Sequence, residues 1–159
     1  MKGEPAERLD PRAITLWKIT GTLNMLPLLV GAGFVSWALV RFGGGSFFLG
    51  VLPVLAVLVL AGGVVGVVPG MRWRRWRYEI RPDEVDLQRG IFWISRTLVP
   101  LARIQHVDTR QGPLQRRFGL STVVFYTAAG PNQIPELSTP VAAEARDRIA
   151  ELTGEQDEL

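Results

Sequence analysis

From residue 20 to residue 40 the chain runs TGTLNMLPLLVGAGFVSWALV, and from 47 to 68 it runs FFLGVLPVLAVLVLAGGVVGVV. No charged side chain falls between Lys18 and Arg41 or between Arg41 and Arg72. About 20 apolar residues, rising 1.5 Å each, cover a hydrocarbon core of roughly 30 Å. The pattern predicts two transmembrane helices, spans of about 20–40 and 47–69, in which Pro53 and the glycines are tolerated as they are in bilayer helices. The short stretch Arg41-Phe42-Gly43-Gly44-Gly45-Ser46 joins them, so a hairpin over 19–70 follows a segment 1–18 and sends both ends to one side. Ser36-Trp37-Ala38 has the small residues of a leader cleavage site, but the run before it exceeds the roughly 7–15 apolar residues of a signal-peptide core, and the span is expected to stay.

Beyond residue 70 the period changes from continuous to two. Tyr78 and Ile80 alternate with Arg77, Glu79 and Arg81; Pro82-Asp83 reverses the chain; Val85 and Leu87 alternate with Asp86 and Gln88 up to Gly90. Trp93–Val99, Ile104–Thr109 and Ser121–Thr127 read as further strands, and Gln133–Leu137 as a weaker sixth. Gln111-Gly112-Pro113 and Gly130-Pro131-Asn132 supply turn chemistry, so the sheet should be antiparallel. Ser138-Thr139-Pro140 begins a helix of about 14 residues with Val141, Ala145, Ile149 and Leu152 on its buried face and Gly154 at its end. Residues 71–153 thus form a small α+β domain closed by its C-terminal helix, and 154–159 a frayed tail.

Within the second span Gly62, Gly66 and Gly70 recur every fourth residue and line a face suited to close helix packing, against the first span, where Ala32 and Ser36 share the spacing, or against a second protein. Asn24 is the strongly polar side chain inside a span, expected to make an interhelical hydrogen bond.

Charge sets the orientation. Arg72, Arg74, Arg75 and Arg77 follow the second span, interleaved with Trp73 and Trp76, and Lys2, Arg8, Arg12 and Lys18 precede the first. The connecting turn carries Arg41 alone, so the positive-inside rule places both termini in the cytoplasm. The interleaved residues are expected at the membrane interface, with each arginine gaining about 1 kcal/mol beside an anionic leaflet. A nucleic-acid platform is excluded by balance: 13 arginines face 12 acidic residues from Arg72 onward, too even a count for phosphate neutralisation.

Chemistry narrows the class further. The chain has no cysteine and one histidine, His106, which removes thiol nucleophiles, disulfides, thiolate metal sites and histidine clusters. No glycine-rich phosphate loop or nucleophile elbow is present, so no enzyme, cofactor, metal or small-molecule substrate is expected. Arg110, Arg116 and Arg117 form a candidate anion patch, with a solvated loop face as the alternative.

The run Leu101–Leu120, LARIQHVDTRQGPLQRRFGL, resembles the signature of bacterial membrane proteins with a pleckstrin-homology-like domain, the YdbS type. Arg77-Tyr78-Glu79-Ile80 with its acidic turn, Gly90 before an aromatic, and Thr127-Ala128-Ala129-Gly130 support it. The resemblance covers Lys18 to Leu152 and implies a strongly bent antiparallel sheet or barrel of about seven strands, plugged at one end by the C-terminal helix; pattern alone does not reveal the seventh strand. In the signature, Arg103, Gln105, His106 and Asp108 read as structural hydrogen-bonding or interaction residues, and Gly112, Pro113 and Gly119 as loop and strand-entry positions. Where phosphoinositide-binding relatives carry basic residues, this chain has Arg81-Pro82-Asp83-Glu84, so the resemblance brings no phosphoinositide site. It implies a non-catalytic scaffold at the cytoplasmic face of the bacterial inner membrane. The expected partner is another membrane protein, such as a larger relative with repeated domains, or a second copy, in envelope stress or antimicrobial-peptide tolerance. An anionic-lipid sensor using Arg72, Arg74, Arg75, Arg77, Arg110, Arg116 and Arg117, or an accessory subunit of a transport complex, are the alternatives.

Overall fold

The computed structural model describes residues 3–43 and 46–157. It divides into a helical unit, Trp17–Gly70, and a second unit formed by Met1–Leu16 together with Met71–Leu159.

In the helical unit, α1 (Arg12–Phe42) runs through Pro27 and α2 (Phe47–Gly66) through Pro53, with α3 (Val68–Arg75) following after a single residue. Both long helices are apolar enough to cross a membrane, and none of the most apolar stretch of either is buried. A core helix of a water-soluble protein would be covered. Here Val30, Phe34, Phe48 and Val59 are each more than 60% exposed, so lipid is the solvent that their composition suits.

The helices approach each other at positions the spacing did not mark. Gly50 is buried against the Val40 side chain and the Ser36 carbonyl, and a Cβ at Gly21 would sit 3.4 Å from Val65 Cγ2. By contrast, a Cβ at Gly62, Gly66 or Gly70 would meet nothing within 4 Å, so the expected packing of this stripe against the first span is absent among the described residues. The contact that does form is made by Gly50 with Val40 and Ser36, and Gly62 and Gly66 are exposed. Asn24 is exposed and makes no interhelical hydrogen bond among the described residues. Of the connecting turn, Arg41 and Phe42 continue α1, and Gly44 and Gly45 lie outside the described residues.

Among the described residues the second unit has seven strands in two antiparallel sheets. β1 (Glu7–Arg8), β2 (Arg77–Ile80), β3 (Glu84–Gly90) and β4 (Ile94–Pro100) pair in that order; β5 (Ile104–Arg110), β6 (Leu120–Thr127) and β7 (Gly130–Ser138) form the other sheet. The barrel expected from the resemblance is not formed. The chain passes from β4 through a single turn of 3₁₀ helix, Leu101–Arg103, into β5 without pairing the two strands, so each sheet keeps an open edge there. The pairing slips between Ile104 and His106 and between Ser121 and Val123, irregularities of the kind that bend a strand.

The seventh strand, invisible in the pattern, is the two-residue β1, whose Glu7 pairs with Tyr78 and Arg8 with Arg77. The N-terminal residues are therefore part of the folded domain rather than a segment apart. A run this short carries no periodicity; the edge of β2 recruits it. Burial and a hydrogen bond with Glu7 push the Tyr78 phenol well above its ordinary pKa, keeping it neutral in the core.

One face of the first sheet turns Tyr78, Val85, Leu87 and Val99 inward, as alternation predicts. Between β5 and β6 the expected loop contains α4 (Pro113–Phe118), closed by Gly119 at φ +64°, the left-handed backbone that ends a helix most readily at glycine. The reversal between β6 and β7 falls on Ala128-Ala129, and Gly130-Pro131-Asn132 already belongs to β7, because Thr127 pairs with Gly130. The last helix, α5 (Thr139–Asp157), passes through Gly154 and takes in part of the expected tail. Its buried face is Ala142, Ala145 and Ile149, whereas Val141 is 40% exposed and Leu152 half-buried. The helix packs on the second sheet, and its Val141, Glu144, Ala145 and Arg148 border a small groove with Glu7, Tyr78 and Ile80.

Candidate functional site at the basic and aromatic joint

The residues expected at the membrane interface divide. α3 ends at Arg75; Arg72 and Arg74 are exposed, Arg75 is partly covered, and Arg77 enters β2, 3.7 Å from Glu4. Trp76 corrects the expectation of two interfacial indoles. It stands where helix becomes strand, directs its ring into the domain and is 4% exposed. Trp73 is half-buried and donates its indole N–H to the carbonyls of Leu9 (2.9 Å) and Asp10 (3.2 Å), with the Arg8 guanidinium 5.7 Å over its ring. The joint is thus a clamp on residues 8–10.

The clamp continues into α1. Asp10 accepts from the Arg12 backbone N–H at 2.9 Å and from the Arg12 guanidinium at 3.0 and 2.9 Å, while Arg12 also donates to the Phe118 carbonyl at 2.9 Å. These bonds cap the helix and hold the Asp10 carboxyl below its ordinary pKa. The favoured species is the carboxylate, so the contribution is complete above the usual carboxylate range near 4 and is lost as pH falls through the lowered value. Amide exchange at Arg12 and Ala13 is expected to lose protection over that interval, and an Asp10→Asn variant to show weaker protection with no such dependence.

Beside the clamp, Arg72 and Trp76 share a groove of about 370 Å³ with Arg89 and the β3–β4 turn Ile91-Phe92-Trp93. Desolvation lowers the Arg72 pKa, opposed by the charge of Glu136. Phe92 and Trp93 are 77% and 86% exposed.

The signature residues scatter over the other sheet and its loop. Arg103 is exposed and borders a groove of about 270 Å³ with β4 and the β6–β7 turn. Gln105 is exposed on β5, and His106 Nε2 lies 2.9 Å from Asp108 Oδ1, both groups open to water. Arg110 donates to the Tyr126 hydroxyl and lies over its ring, so it turns along the sheet, while Arg116 and Arg117 are exposed on α4. Gly112 N–H donates to Gln115 Oε1 at 2.9 Å, fixing the entry to α4, where Pro113 is the first helical residue. Among the described residues no group of three histidine, cysteine or acidic side chains is arranged to hold a metal.

Sequence reasoning passed over two polar centres. Gln115 donates to Thr122 at 2.8 Å and to Glu136 at 3.1 Å, joining the signature helix to β6 and β7. Asp86, fully buried on the outer face of the first sheet, accepts from the Arg96 guanidinium at 2.6 and 2.9 Å and lies 3.4 Å from Arg81; Arg96 also donates to the Gly3 carbonyl. Alternation marks Asp86 as outward-facing, and only the folded arginines cover it.

The comparisons agree with this architecture. The family model described as Bacterial PH domain matches residues 25–153. The UPF0699 transmembrane protein YdbS of Bacillus subtilis (strain 168) is 34% identical over 160 aligned residues, covering 99% of each chain. The UPF0699 transmembrane protein YdbT of the same organism is 29% identical over 156 residues, which cover 95% of this chain but 29% of that protein. No solved structure matches. A chain that combines two lipid-suited helices with this sheet-rich domain, matched from residue 25 to 153 and similar to YdbS from end to end, belongs to the bacterial PH domain family as a membrane-associated member of the YdbS type.

Proposed function

We propose that the protein is a non-catalytic membrane scaffold. Its two spans hold the PH-like domain at the cytoplasmic face of the bacterial inner membrane, where the chain assembles with another membrane protein or a second copy. The observation that carries this reading is Asn24. Its amide is exposed on a helix otherwise suited to lipid, without a hydrogen-bond partner among the described residues. An unbonded amide facing hydrocarbon is costly, and a polar group on a neighbouring helix removes that cost. The open face at Gly62 and Gly66 offers a second place for close helix approach.

The positive flanks support the orientation. Arg77 beside Glu4 and Arg110 over Tyr126 leave the seven-arginine lipid surface of the sensor reading incomplete. A role in envelope stress or antimicrobial-peptide tolerance remains part of the proposal, on family resemblance alone.

The test is a photo-crosslinker at Leu28, one turn from Asn24 and half exposed, in intact membranes of cells making the full chain. One discrete adduct to a membrane protein, lost when Asn24→Leu is added, is the expected result. Adducts only to lipid, unchanged by Asn24→Leu, overturn the scaffold reading.

A further inference from the structure

The turn joining β3 and β4 is built unlike a turn that faces water. Gly90 pairs with Ile94 and adopts φ +148°, where an added Cβ would run into the Trp93 carbonyl, so the reversal depends on glycine and makes no demand for aromatic side chains after it. Yet the three residues at the tip are Ile91, Phe92 and Trp93, and the last two are among the most exposed large apolar side chains of the domain. The other end of β3 is the polar turn Pro82-Asp83, about 20 Å away along a seven-residue strand. One end of this hairpin pair is therefore apolar and the other is charged.

Where the apolar end lies follows from the groove it shares. Arg72 lines the same groove as Ile91, Phe92 and Trp93, and Arg72 is the first charged residue after the second apolar helix, two positions beyond Gly70. A chain leaving hydrocarbon reaches headgroup level at its first arginine, so side chains sharing a groove with that arginine are within reach of the bilayer surface. Arg89, exposed at the base of the turn, adds a second cation; no acidic residue lines the groove itself, and the carboxylate that acts on Arg72, Glu136, is not among its lining residues. Indole and phenyl rings flanked by guanidinium groups match the boundary between acyl chains and phosphate headgroups, where the rings take the apolar side and the cations meet phosphate.

We infer that the β3–β4 turn is a second membrane contact, with Phe92 and Trp93 seated in the interfacial layer of the bilayer and Arg72 and Arg89 at its phosphates. The contact would tie the domain to the surface at a point distant in sequence from the spans, leaving the Pro82-Asp83 end in water. It rests on the apolar helices being spans and is independent of any protein partner.

Because the chain has no cysteine, single nitroxide labels can be placed without removing native thiols. Four full-length variants, Phe92→Cys, Trp93→Cys, Asp83→Cys and Leu52→Cys, are labelled and reconstituted in vesicles of phosphatidylcholine and phosphatidylglycerol. Collision with oxygen, which concentrates in lipid, is compared with collision with a neutral nickel chelate, which stays in water. Labels at 92 and 93 should favour oxygen over nickel several-fold relative to the label at 83, approaching the label at 52. Labels at 92 and 93 that behave as at 83 overturn the inference, as do labels shielded from both reagents, which would mean a protein contact. A label at 52 open to nickel would instead defeat the span reading itself, and the inference with it.

Discussion

Replacing Trp76 by alanine is expected to cost the domain about 3–5 kcal/mol, the range for truncating a buried tryptophan. Trp93→Ala should stay within about 0.5 kcal/mol in detergent, the range for exposed positions away from structural features. The two indoles are alike in chemistry and differ in burial, 4% against 86% exposed. Thermal unfolding of the detergent-solubilised chain, followed by hydrogen exchange of the β3 and β6 amides, measures both. A loss of about 3 kcal/mol in a domain of this size lowers the melting temperature by more than 10 °C. If Trp76 anchored the chain in headgroups instead, its removal would leave strand-amide protection nearly intact and weaken only the membrane-dependent contribution. Equal, small effects of the two substitutions would contradict the placement of Trp76 in the core.

The second large effect is expected at Asp86. Its carboxylate is fully buried and receives the Arg96 guanidinium in two directions, with Arg81 close behind. Asp86→Ala strips Arg96 of its hydrogen-bonded carboxylate, while Arg81 keeps Glu79 at 2.6 Å and Glu84 at 3.5 Å, and breaking a buried ion pair on one side costs about 3 kcal/mol or more. Replacing Asp86 and Arg96 together by leucine should recover much of that loss, because the penalty belongs to the uncompensated charge rather than to the pair. The same variants report on the N-terminus: Arg96 also holds the Gly3 carbonyl, so Asp86→Ala should raise exchange and proteolysis near residues 3–8 more than at α5. A double-mutant cycle with Arg81 separates the two arginines. If Asp86→Ala unfolds no earlier than the native chain, the ion cluster is a surface ornament and its burial has been misjudged.

The clamp at Trp73 and the ion cluster at Asp86 act on the same short stretch, residues 3–12. Together with the pairing of β1 to β2 they fasten the stretch that precedes the first apolar helix to the domain that follows the second. A truncation beginning at residue 71 would therefore lack a strand of its own sheet, and binding assays on such a fragment would report on a damaged domain.

Much of this was legible in the chain. Two apolar runs long enough for a bilayer, a switch to alternation near Tyr78, and proline and glycine at reversals each follow from local physics: solvent preference, side-chain period and backbone restriction. The same local rules located β2 to β6 to within a residue or two, and the signature Leu101–Leu120 pointed to the family that the matches establish. What escaped were features set by partners distant in sequence. Glu7–Arg8 is a strand because β2 offers an edge, and Asp86 is buried because Arg81 and Arg96 fold over it. α5 turned Ala142, and not Val141, inward where it packs on the second sheet.

The sequence by itself determined the solvent of each half of the molecule and the period of its backbone, since both depend on side chains a few positions apart. Tertiary structure alone decided which of two similar tryptophans is core and which is surface, which glycines meet a neighbouring helix, and that two sheets remain open rather than closing into a barrel. Those outcomes depend on which surfaces meet across the fold, and close packing permits only one rotation of each helix and one register of each strand to satisfy them at once.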